Sequence, residues 1–269
     1  MSRSPTRRSC PTPEASLTPL LAGLSFPDPQ GYADLATLVR RAQKADSDAA
    51  VRLQAAGGVL RVWVGVLPGR GLLADGAAVG VRGIALAGSA ETWSTGGSTV
   101  GGSSPVDATA GRSTDLDLDL VCSAAALLER IARDGVGATT LTLPTVSTYA
   151  AWSGALPATG GWTPAGEVSV ADLVGAATSG IAEIAEGVGP SGPVAGARAV
   201  EELRLRVWAR PVPVRAAAAP VAGVHVPAGA AFAAYVLGFL PDSRATVRVW
   251  RNGRWVRLQT RVGHVVARP

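Results

Sequence analysis

The side chains able to do chemistry in this sequence are few and scattered. His225 and His264 are its two histidines. Each follows a predicted strand, with no Ser, Cys or carboxylate nearby at a recognised spacing. His-Glu-x-x-His, Cys-x-x-Cys and Gly-x-Ser-x-Gly are all absent. A catalytic triad depends on geometry rather than on sequence order, so an enzyme of unrecognised type with His264 in its site stays open as an alternative. Lys44 is the one lysine, on the polar face of a predicted helix. Schiff-base chemistry would have to use it. No Gly-Lys-Ser/Thr phosphate loop occurs, which removes Walker-type NTPase and kinase readings.

Two further patterns have chemical meaning. Asp115, Asp117 and Asp119 alternate with Leu116, Leu118 and Leu120. On a strand the three carboxylates share one face and offer oxygen ligands to a hard cation. An EF-hand loop would require Gly next and Glu at its twelfth position, where Leu120 and Ala126 stand. The competing explanation is a half-exposed strand running into a helix start, whose macrodipole favours acids. Residues 187–192 spell Gly-Val-Gly-Pro-Ser-Gly, a literal G-x-G-x-x-G. That fingerprint needs a strand before it and a helix opening at it. Here a predicted helix precedes it and Pro190 removes one amide donor, so it reads as a helix cap and linker. No cofactor is expected.

The sharpest feature is the C-terminal hairpin around Asn252-Gly253, a pair that favours a two-residue type I′ turn. That register sets Trp250 opposite Trp255, Arg248 opposite Arg257 and Val249 opposite Val256. Alternation places Val247, Val249, Val256 and Leu258 on a core face and Arg248, Trp250, Trp255 and Arg257 on the other. Two arginines directly opposite repel. Solvent screening, stacking of guanidinium over indole, or a bridging anion would each relieve that. The bridging anion would make the face a platform for an acidic partner or, more weakly, for nucleic acid.

Those residues need elements to carry them. Asp28-Pro29 starts a helix whose apolar face runs through Tyr32, Leu35, Val39, Ala42, Ala49 and Leu53 to a stop at Gly57-Gly58. Strands are predicted over 59–67 and 79–86, as an antiparallel pair. Leu120 to Ile131 reads as a helix closing near Gly135, and 139–143 as a short strand. Ser169 caps the next helix, which Gly187 stops. A strand over 203–212, a buried helix over 228–240 and the hairpin complete the chain. Residues 1–27 read as a flexible tail, and the Gly/Ser/Thr-rich 88–114 as a surface loop. Residues 28–187 and 188–269 then form two regions of one compact unit.

At 47% hydrophobic and 17% charged the composition is globular. The formal charge of +5 permits anionic partners without establishing them. Cys10 and Cys122, in unrelated settings, form neither a disulfide framework nor a metal site. The longest apolar run is too short to span a bilayer, so no membrane partner is expected and the cytoplasm is the default location.

Ala33-Asp34-Leu35 opens a helix leading to Arg61-Val62-Trp63, and Ala171-Asp172-Leu173 opens another leading to Arg206-Val207-Trp208. A third Arg-Val-Trp lies at 248–250. The echo reads as a duplicated helix–strand unit. Its competitor is that Arg-Val-Trp is simply a good strand sequence. The segments 49–54 (AAVRLQ), 60–64 (LRVWV), 161–168 (GWTPAGEV) and 253–265 are similar to uncharacterised actinobacterial proteins. The resemblance implies a cytoplasmic protein from a high-GC genome and no particular function.

The expected fold is therefore α+β, antiparallel strands with helices on one side in two related helix–strand halves. The expected function is non-catalytic binding, through the Arg248, Trp250, Trp255 and Arg257 face, of a protein or anionic partner. The alternatives are an enzyme using His264 or the Asp115/Asp117/Asp119 row, and an assembly protein that buries the hairpin face in an oligomer.

Overall fold

The computed structural model describes residues 23–71, 73–87, 118–188, 196–215 and 225–269. The loop 88–114, Cys10, Asp115, Asp117 and most of the expected tail lie outside them. A short strand β1 (Gly23–Ser25) leads into helix α1 (Pro29–Ala45), whose N-cap Asp28 accepts from the Gly31 amide at 2.9 Å. The helix stops at Asp46, not at Gly57. Residues from Ala50 onward alternate instead of following a helical period, with Val51, Leu53 and Ala55 inward and Arg52 and Gln54 outward, and they form β2 (Ala50–Ala56). Gly57-Gly58, both at positive φ, turn β2 into β3 (Val59–Leu67), and β4 (Ala78–Ala85) follows antiparallel as expected.

Leu118–Ser123 is strand β5, and Ser123 caps α2 (Ala124–Asp134) by accepting from the Ala126 amide at 3.1 Å. A short β6 (Thr140–Thr142) pairs with β1. The second half opens with β7 (Thr163–Ser169) and α3 (Val170–Val188), where the Ser169 hydroxyl accepts from the Asp172 amide at 3.0 Å.

The strand expected over 203–212 is mostly helix: α4 (Gly196–Trp208), followed by a two-residue β8 (Pro211–Val212). The cause lies on α3. A Cβ at Gly180 would come within 2.5 Å of the Trp208 ring, and one at Gly187 would collide with Leu203. Two bare helix positions therefore let α4 dock closely, and burial of Val207 and Trp208 outweighs their β propensity. A short β9 (Val226–Pro227), helix α5 (Ala228–Val236), β10 (Thr246–Asn252), β11 (Trp255–Gln259) and β12 (His264–Ala267) complete the chain.

Eight strands form one antiparallel sheet in the order β5-β2-β3-β4-β12-β11-β10-β7. The order reads alike from both ends. Each half has a three-strand meander preceded by a helix (α1 before β2, α5 before β10). In each, a lateral strand that itself runs into a helix (β5 into α2, β7 into α3) flanks the meander. The fold is α+β in two related halves, joined where β4 pairs with β12. The Arg-Val-Trp copies do not mark this relation: they sit on β3, on α4 and on β10, three inequivalent places.

Helices cover one face of the sheet. Leu53, Leu60, Val62, Leu258 and Val265 meet Leu35, Val39, Leu127 and Leu173 in one core. The alanine-rich α5 lies so close that a Cβ on Gly80 of β4 would strike Leu237. Arg41 of α1 donates to the Leu237 carbonyl at 2.9 Å, tying the halves on this side. No helix among the described residues is long and apolar enough to cross a membrane.

Candidate binding face on the outer side of the sheet

The face away from the helices carries most of the chemistry-bearing side chains. One row crosses all eight strands: Val121, Arg52, Trp63, Val81, His264, Gln259, Arg248 and Glu167 are successive cross-strand partners. The next row runs Gly65, Val79, Val266, Arg257, Trp250 and Pro164.

The hairpin that closes these rows differs in register from expectation. Asn252 pairs with Trp255, so the loop is Gly253-Arg254, with Gly253 first at φ +56 and Arg254 not in the left-handed region. Glycine in the first loop position is what a type II′ turn requires, whereas I′ would need positive φ at both. The slip moves each partner by two places, so the faces survive and the pairs change. Trp250 now faces Arg257, and Arg248 faces Gln259. The expected arginine–arginine and tryptophan–tryptophan pairs are absent, and with them the repulsion.

A strap covers part of this face. The segment between β6 and β7 crosses the sheet from edge to edge. The Thr148 amide donates to Val121 O on β5 at 2.8 Å, and Arg52 Nη1 on β2 donates to Ser153 O at 2.5 Å. Trp152 lies against Gly65 on β3, and the Trp162 ring stacks on Arg257 of β11 at 4.7 Å. Asn252 Nδ2 on β10 then donates to Gly160 O at 2.7 Å. Trp63, Val79, Val81, Trp152, Trp255 and Val266 form a second, smaller apolar cluster beneath the strap. Trp255, expected on the binding surface, is therefore buried. The strap's two tryptophans were the available signal, and nothing local told which strands they would cover.

Polar groups on the β5 side are mutually satisfied. Arg52 reaches Asp119 through Nε at 2.7 Å and Nη2 at 2.6 Å; Gln54 donates to Asp119 at 3.0 Å, and Trp63 donates to Gln54 at 2.8 Å. The Arg52 hydrogen bond holds the Asp119 carboxyl below the usual carboxylate range. Both carboxylate oxygens of Asp119 are thus engaged; Asp115 and Asp117 lie outside the described residues. Among those described, no three His, Cys, Asp or Glu side chains are grouped to hold a metal. His225 is exposed ahead of β9 and His264 is half-buried on β12, and neither bonds to a Ser, Cys or carboxylate among the described residues. Cys122 is buried, and desolvation pushes its thiol up to about 11. Lys44 is exposed in the last turn of α1.

The β11 side is different. Half-buried arginines on or beside the sheet elsewhere have carboxylates: Arg52 has Asp119, Arg82 has Asp34 and Arg268 has Asp75. Arg257 has none. Its guanidinium lies over two indole rings, 4.7 Å from the centroid of Trp162 and 5.3 Å from that of Trp250. Burial lowers its pKa, and burial together with the Arg257 charge lowers that of His264. Trp250 Nε1, Arg257 Nε, Gln259 Oε1 and His264 Nδ1 are all buried without a hydrogen-bond partner among the described residues. Arg268 Nε, by contrast, sits 3.1 Å from Asp75 Oδ1 in an ion pair.

Charge is concentrated on the same hairpin. Residues 246–263 hold Arg248, Arg251, Arg254, Arg257 and Arg261 and no Asp or Glu, so the rest of the chain is formally neutral and this segment carries the whole +5. Arg248, Arg251, Arg254 and Arg261 are exposed.

Comparison with known proteins gives no activity. Solved structures with a similar chain course include a C. crescentus beta sliding clamp (12% identity, 91% of this chain and 64% of that one, TM-score 0.45). The H. pylori beta clamp in complex with 5-chloroisatin is similar at 7% identity, 92% and 63% coverage and TM-score 0.44. The DNA polymerase III subunit beta from Pseudomonas aeruginosa is similar at 9% identity, 92% and 64% coverage and TM-score 0.40. The chain thus spans under two thirds of their length, and likeness at this level carries no functional argument. No curated protein matches. Residues 21–154 match the family model of a domain of unknown function (DUF8010) and residues 157–269 that of a second (DUF8185), and the two meet within the strap.

Proposed function

We propose that this is a non-catalytic interaction protein that binds an acidic segment of another protein at its arginine-rich C-terminal hairpin. The observation that supports it best is the set of five arginines on 246–263 with no acid among them, in a chain otherwise formally neutral. Such a patch raises the local concentration of anionic partners and speeds encounter. A protein partner fits better than a nucleic acid because the aromatic faces are occupied. Trp255 is buried and Trp250 carries the Arg257 guanidinium on its ring, so bases lack an open stacking platform. A cytoplasmic setting accords with a free, buried Cys122.

The test replaces Arg248, Arg251 and Arg254 together by Ala and measures binding to a glutamate-rich peptide and to a single-stranded oligonucleotide of equal charge, across salt concentration. Exposed ionic contacts contribute about 0.2–1 kcal/mol each, so the triple variant loses roughly 3- to 100-fold at low salt. Unchanged peptide affinity, or tighter binding of the oligonucleotide than of the peptide, overturns the reading.

A further inference from the structure

Within that surface, the geometry points to one discrete anchor: the Arg257 guanidinium, walled by Trp162 and Trp250, seats a single carboxylate from the acidic partner. This rests on the acidic-partner reading and adds the site to it. Arg257 is half-buried, its Nε is buried, and no hydrogen bond or ion pair engages its guanidinium among the described residues. Cation–π contact with both indoles restrains the guanidinium. A planar fork can match a carboxylate bidentately through its two terminal nitrogens; on the same face Arg52 makes the side-on version with Asp119, through Nε at 2.7 Å and Nη2 at 2.6 Å. The protein has built one such pair internally, and at Arg257 it supplies the cation alone.

Neighbouring groups favour an incoming anion over a cation. Trp250 Nε1 and Arg257 Nε are donors without acceptors, and the nearest row partners, Val266 and Trp250, carry no negative charge. Glu167, the acid of the adjoining row, stands across from Arg248 on the far side of β10, and its carboxylate forms no ion pair among the described residues. Trp162 comes from the strap, so the anchor exists only when strap and hairpin are docked, through Asn252 and Gly160.

The experiment uses the full chain, a capped Glu-Gly repeat peptide as probe, and the side-chain Nε–H signal of Arg257, assigned by its loss in Arg257→Lys. The expected result is a shift of that signal on titration and at least a tenfold loss of affinity in Arg257→Lys, which keeps the charge but not the fork. Arg257→Gln, with a melting temperature measured alongside, shows whether the loss follows the site or the fold. If Arg257→Lys binds as wild type while the Arg248/Arg251/Arg254 variant is weakened, the anchor falls and the surface stands. If the wild type fails to bind the peptide, both fall. Displacement of the peptide by inorganic phosphate at lower concentration than by acetate overturns the assignment to a carboxylate.

Discussion

Replacing Gly65 by Ala tests whether the strap lies on the sheet where the structure places it. Gly65 is in the middle of the outer face on β3, and a Cβ there would fall 2.5 and 2.6 Å from the Trp152 indole carbons Cε2 and Cδ1, with Nε1 closer still. Its φ is not in the left-handed region, so alanine brings no backbone strain and the cost is steric. Trp152 is 4% exposed and anchors the strap's apolar cluster, so it has little room to yield. Overpacking of this kind costs about 1–3 kcal/mol. Removing the indole by Trp152→Ala costs about 3–5 kcal/mol alone. With the indole gone, the three atoms nearest the extra methyl are removed, and loss of glycine freedom in the unfolded chain then stabilises by about 0.4–1 kcal/mol. A double-mutant cycle should therefore show coupling of roughly 1.5–4 kcal/mol, with the double variant no less stable than Trp152→Ala. Urea unfolding followed by circular dichroism reads each corner of the cycle. Additive penalties, or a Gly65→Ala variant as stable as wild type, would refute the placement of the strap.

Two further outcomes concern titration. Asp119 is held below its ordinary range chiefly by its hydrogen bond with Arg52, so its contribution is full above the unfolded carboxylate pKa and is lost as pH falls through the folded value. Because the Asp119 side chain is 47% exposed, screening limits the pair to about 1 kcal/mol. An Arg52→Ala/Asp119→Ala cycle at pH 7 should show that coupling and lose it in strong acid; a divalent cation restoring the stability of Arg52→Ala would contradict the ion pair as the role of Asp119. His264 behaves the same way at higher pH: burial and Arg257 depress its folded pKa, so stability is full above about 6.5 and falls as pH drops from there toward the folded value. His264→Gln should flatten that limb of the stability–pH curve, and an unchanged curve would show that His264 is solvated.

How much of this is legible in the sequence depends on the range of the interaction. The Asp28-Pro29 start of α1 and the Ser169 cap of α3 are local chemistry, and both appear where the residues imply. The inward and outward faces of the last hairpin also held, because they follow from alternation alone. Its register did not: Asn252-Gly253 favours one turn in isolation, but Asn252 has a tertiary task, holding Gly160 of the strap, and the loop moved one residue on. Arg-Val-Trp at 206–208 misled because its helical state depends on bare glycines on α3. The unpaired state of Arg257 is least visible of all, since it rests on which strands neighbour β11 and on a tryptophan ninety-five positions away.

The β4–β12 ladder carries a consequence for manufacture of the two family units. Each unit, taken alone, would end in an unpaired strand: Ala78–Ala85 in one, His264–Ala267 in the other, apolar on both faces along much of their length. Bare edges of that kind recruit other chains. Here each half is the other's edge protection, so expression of either unit by itself should yield aggregates, and mixing the two before they aggregate should rescue both.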